Sequence, residues 1–158
     1  MAFHNTFIVT GSCTPGAAAN VLLEIAANSA KPLEIIDVEI SQATNTSNIQ
    51  VGVQHKICST ATTGWTSPQT LTPAKGNPSD ATASMIPKMY NTSGTTSDGS
   101  LVESKRQTGW NILIPYFWQP PTESRLFIAA GQYYVLKWIT APPAATVFYV
   151  NVTVTEIG

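Results

Sequence analysis

Charge is what this sequence has least of. Lys, Arg, Asp and Glu make up 11% of its 158 residues, against roughly 25% in an ordinary soluble domain, so solubility has to come from hydroxyls and amides. Eight bases stand against nine acids, and Lys105-Arg106 is the one adjacent pair of bases. Nucleic-acid binding draws on clustered Lys and Arg that displace counterions, and without such a cluster no direct contact with DNA or RNA is expected. No apolar run approaches the roughly 20 residues that span a bilayer. The opening MAFHNTFIVTGS has neither the basic start nor the apolar block of a signal peptide. The expectation is a product made in the cytoplasm with no membrane partner.

Reactive side chains are almost as scarce. Cys13 and Cys58 are too few for a disulfide framework and wrongly spaced for zinc, so two free thiols behaving as small apolar groups are expected. Of the two histidines, His4 sits near the start and His55 falls on the apolar side of a strand pattern. A nucleophile-type hydrolase needs Ser or Cys beside an oriented His, and nothing around His55 resembles a nucleophile elbow; it reads as a core histidine held by a hydrogen bond. Asp37 and Glu39 share a strand face and read as solvated, since no DxDxDG loop accompanies them. No GxGxxG or GxxxxGK[ST] motif occurs. No catalytic, cofactor-binding or metal-ligating residue is therefore assigned, and a non-enzymatic protein without cofactors is expected.

What the sequence does have is β pattern. In IQVGVQHKI, Ile49, Val51, Val53, His55 and Ile57 alternate with Gln50, Gly52, Gln54 and Lys56, the period of a half-buried strand. LEIIDVEIS precedes it, with Ile36, Val38 and Ile40 set against Ile35, Asp37 and Glu39. The turn-forming QATNTSN between the two suggests a hairpin. TVFYVNVTVTEI reads as a long strand with a bulge near Asn151. Further strands are expected in FHNTFIV, NVLLEIA, SLVESKRQ, WNILI, RLFIA and QYYVLKWI, separated by breaks rich in Pro and Gly. Residues 59–100 form one long Thr-, Ser- and Pro-rich loop, interrupted near ASMIPKMYN by a short strand or adhering segment. The fold class that follows is all-β, an antiparallel two-sheet sandwich of jelly-roll type. Residues 1–20 are expected as an extended arm and 21–158 as the single sandwich domain.

Aromatics are the unassigned feature. QYYVLKWI places Tyr133, Val135 and Lys137 on one face and Tyr134, Leu136 and Trp138 on the other, so a large ring falls on each side. One face is core. The other needs cover from a second subunit, a ligand or the 59–100 segment. In PYFWQPP the prolines exclude a central strand, leaving Tyr116, Phe117 and Trp118 at an edge or corner, as core or as interface. The arm offers Phe3, Phe7 and Ile8 as anchors that could lie across a neighbour.

The order of several stretches resembles a known family. NVLLEIAANSAKPLEIIDVEISQ, then LTPAKGNPSDATASM, TGW opening a strand, and RLFIAAGQYYVLKWITAPPAATVFYVNVTVTEIG are similar to the head decoration, or cement, proteins of tailed bacteriophages. The matched features are KPLEIIDVEIS, the LTP turn, Gly131 before the penultimate strand, Ala141-Pro142, and a last strand ending in Glu156. The resemblance spans residues 21–158 and implies a jelly-roll homotrimer on the outer surface of the virion head that bridges major capsid proteins. Two other classes stay open: a carbohydrate-binding sandwich would stack glycans on its rings, and a small glycosidase would need a carboxylate pair such as Asp37 and Glu39 around a cleft. A tail or baseplate trimer is the nearest structural competitor.

Overall fold

A computed structural model describes residues 4–16, 18, 20–44, 46–89 and 96–158. Strands β1 (His4–Cys13), β3 (Leu33–Gln42), β6 (Ala74–Lys75), β9 (Tyr116–Trp118), β10 (Leu126–Ile128) and β12 (Phe148–Ile157) build one sheet. Its order is β10–β3–β12–β1–β6, with β9 continuing the edge beside β3. The second sheet runs β5 (Gln69–Thr70), β7 (Ile86–Met89), β2 (Val21–Ala26), β11 (Tyr133–Trp138), β4 (Gln50–Cys58), β8 (Leu101–Asn111). Paired strands are antiparallel, and the inner faces of the two sheets share one apolar core. The molecule is an all-β two-sheet sandwich.

Alternation explains most of this. On β12, Phe148, Val150, Val152 and Val154 are buried, while Tyr149, Asn151 and Thr153 face outward. The bulge expected near Asn151 is not there. The irregularity lies one strand over, where Thr153 pairs with Asp37 and Val154 with Ile35, leaving Ile36 unopposed. An extra residue shifts the phase of a strand by one. Leu33 and Ile35 are therefore core below the bulge and Val38 and Ile40 above it, and Ile36 is not on the buried face that the simple alternation assigned to it.

The hairpin expectation is corrected. β3 pairs with β9, β10 and β12, whereas β4 pairs with β8 and β11 in the other sheet. A polar linker of that length spans the roughly 10 Å between packed sheets as readily as it turns a hairpin, and alternation is blind to which partner a strand takes. The arm is corrected as well. Residues 4–13 form β1, in register with β12 over ten pairs, and Phe7 and Val9 are core. Phe3 lies outside the described residues.

The 59–100 segment contributes three short strands and packs over part of the outer face of the second sheet. Ser59 N–H donates to Ser100 O at 2.9 Å, and Thr63 pairs with Ser97. Thr62 N–H donates to Glu24 Oε2 at 2.6 Å, and Trp65 packs with Tyr133 against a small outer cluster of Val21, Cys58 and Val135. Asp98 bridges Lys56 and Lys137. On β12, Glu156 Oε1 accepts from Ser84 N–H, Ser84 Oγ–H and Met85 N–H, which fastens the same segment to the first sheet. The second face of QYYVLKWI is thus covered by the chain itself.

Candidate interaction surface

The aromatics divide sharply. Trp138 and Tyr134 are fully buried, and Tyr116, Trp118 and Phe7 are core with them. Trp138 stacks on Trp110 with centroids 5.8 Å apart and tilts against Phe148 at 4.9 Å. The expectation that Phe7, Tyr116, Trp118 and Tyr134 line an interface is therefore corrected; in strands of this pleat they occupy inward positions. Tyr133 is half-buried in the outer cluster. Of the expected interface side chains, Ile8 and Phe117 are exposed.

His55 organises the inward set. It projects from β4, and its Nδ1 lies 2.8 Å from the Tyr134 hydroxyl and its Nε2 3.0 Å from that of Tyr116. Tyr134 has no exposure, so its O–H has to donate to the ring. That assigns Nδ1 as acceptor and makes Nε2–H donate to Tyr116. Burial, with the nearby Arg106 cation, pushes the imidazole down to about 3, and burial raises both tyrosines. The ring is neutral at ordinary pH, is enclosed, and links the two sheets. The pattern placed His55 in the core but missed its second hydrogen bond, because both partners come from distant strands.

The other titratable groups are also tied into the packing. Burial pushes the Cys13 thiol up to about 12 and raises Cys58, so both are protonated, and both thiols are free. Burial would raise Asp98, but hydrogen bonds from Lys137 and Lys56 outweigh it and hold the carboxyl below its usual range. Among the described residues no group of three His, Cys, Asp or Glu side chains could hold a metal ion, and no helix is long and apolar enough to cross a membrane.

What faces outward on the first sheet is different. Phe117 is 61% exposed, Phe127 55%, Tyr149 45% and Ile8 42%. All four occupy the outward positions of β9, β10, β12 and β1. Cross-strand register puts Phe117 beside Glu39 and Phe127 beside Glu34, so rings border an acidic column of Glu34, Asp37 and Glu39 on β3. Glu34 pairs with Arg125, and Asn151 Nδ2 lies 3.5 Å from Glu39. Asp37 and Glu39 therefore share an open sheet face and not a cleft. Sequence reasoning missed Phe127 and Tyr149, although their places next to buried Leu126 and Phe148 carry the same alternation signal.

At the edge of this face, the link from β9 to β10 stands away from β8 and leaves a cleft of about 680 Å³. Lys105 and Arg106 line one wall, and Phe117, Pro120, Pro121 and Arg125 the other. Comparison with family models, with curated proteins and with solved structures finds no match.

Proposed function

We propose that this protein is a non-catalytic structural component of a tailed-bacteriophage head, a decoration protein of jelly-roll type. It assembles as a homotrimer on the outer surface and holds neighbouring major capsid proteins together. Two things support the reading: the sequence resemblance, and the aromatic rings left exposed on the outer face of the first sheet. The 59–100 segment packs over part of the second sheet's outer face, while Phe117, Phe127, Tyr149 and Ile8 stay exposed on the first sheet and Ile86, Leu101 and Val102 on the second. Those exposed rings are the observation that carries the proposal, since apolar side chains left exposed on one face mark contact sites in folded proteins. A stable contact needs a total buried area of about 1,200–2,000 Å², and repetition over a shell multiplies weak contacts through avidity.

The test is to image virions with labelled antibody and then to heat particles that carry Phe117→Ser with Phe127→Ser. Label on the head, together with loss of the protein or DNA release at a lower temperature in the variant, is the expected result. Label on the tail, or heads indifferent to both substitutions, overturns the reading.

A further inference from the structure

Lys105 and Arg106 are consecutive in β8, and consecutive residues of a regular strand point to opposite faces. Both nevertheless line the same cleft. The register explains how: His55 pairs with Arg106 and Lys56 with Ser104, so Lys105 has no partner on β4. A bulge of this kind re-aims a side chain at the cost of a break in the ladder. Here it turns a second cation into the cleft, where Arg125 meets it from the opposite wall.

Two further facts concern the same strand. β8 is the outermost strand of its sheet and residues 101–107 are all exposed, so among the described residues no strand lies along its outer edge, which offers backbone donors and acceptors. The lining holds three cations against one carboxylate, Glu123, with Phe117, Pro120 and Pro121 supplying apolar wall. Lys105 pairs with Glu103 and Arg125 with Glu34, but all four side chains are partly exposed. Such pairs are weak in water and exchange readily for a docked carboxylate.

We propose that this cleft takes an acidic, extended segment of a partner protein. The segment adds alongside β8 through main-chain hydrogen bonds, with its carboxylates against Lys105, Arg106 and Arg125. Strand addition supplies affinity and the re-aimed cations supply selectivity. A nucleic-acid strand would need a longer basic track, and the free edge suits a peptide backbone. The proposal rests on the reading of this protein as one that docks on another protein, and it names the chemistry that partner presents.

The experiment titrates the full chain with three probes. These are a synthetic peptide of about six residues alternating Glu and Val, its counterpart with Lys for Glu, and glutarate. Calorimetry gives affinity, and amide chemical shifts of residues 101–107 report edge addition. The acidic peptide is expected to bind and to shift those amides. Lys105→Glu with Arg106→Glu should weaken it about tenfold or more, and added salt should weaken it further. Glu123→Lys, which adds a cation to the same wall, should tighten it and serves if the double variant fails to fold. Equal binding of both peptides, glutarate binding as well as the acidic peptide, indifference to these substitutions, or no binding at all would each overturn the proposal. Because the titration uses no virion, a protein found off the head with intact peptide binding counts against decoration and leaves the cleft assignment standing.

Discussion

His55 on one sheet and Tyr116 on the other are joined by a hydrogen bond of 3.0 Å, inside a core that is otherwise apolar. The imidazole titrates near 3 when folded and near its ordinary 6.5 when unfolded. Between those values the unfolded chain binds more protons, so stability should fall as pH drops from about 6.5 toward 3 and level off below. Each tenfold difference in proton affinity between the two states is worth about 1.4 kcal/mol, so the loss amounts to several kcal/mol. Urea unfolding of the protein and of His55→Gln at several pH values isolates the effect, because the carboxylates titrate in both. Identical pH slopes would show that the histidine is not the acid-sensitive group.

Phe7 and Phe117 should separate cleanly. Phe7→Ala removes a ring that β1, the strand between β12 and β6, buries in the core, and should cost about 3–5 kcal/mol of fold stability. Phe117→Ala, on an exposed ring, should stay within about 0.5 kcal/mol. Equal losses in thermal unfolding would contradict the placement of β1 inside the sheet.

Glu156 carries the fastening of the 59–100 segment. Glu156→Ala deletes an acceptor shared by Ser84 and Met85, and hydrogen bonds to a charged group contribute about 1.5–3 kcal/mol each before neighbours relax. Faster amide exchange at Ser84 and Met85, with the β4–β11 amides unchanged, is the expected pattern. Uniform loss of protection would point to global unfolding instead.

Both thiols should be silent toward a thiol reagent at neutral pH, since burial holds Cys13 and Cys58 protonated. Labelling should track unfolding by denaturant. Rapid labelling of the native protein at either position would show that the site opens locally.

The inner strands were legible because a side chain that alternates between water and core leaves a period of two, and IQVGVQHKI shows it without interruption. Partner choice left no such trace. The 33–42 and 50–58 strands read as a hairpin because pattern records which face is wet and not which strand lies alongside. Phe7 read as an arm anchor for the same reason, its partner strand being β12 at the far end of the sequence. The open face of the first sheet was half legible: Phe117 and Ile8 stood out, but Tyr116 and Trp118 on either side of Phe117 point into the core. The bulges at Ile36 and Lys105 could not be read, because an extra residue is defined only against the strand opposite.

The ladder between β1 and β12 also bears on how this molecule comes into being. Closing it joins segments separated by almost the whole chain, and such long-range pairing is slow because closure entropy is spent before the contacts return it. Until β12 is in place, Phe7 and Val9 have no core to enter and one side of β3 has no strand beside it. Partly folded molecules with bare edges of this kind stick to one another. Yield should therefore depend on concentration during refolding, with dilute chains reaching the native state and crowded ones lost to aggregates.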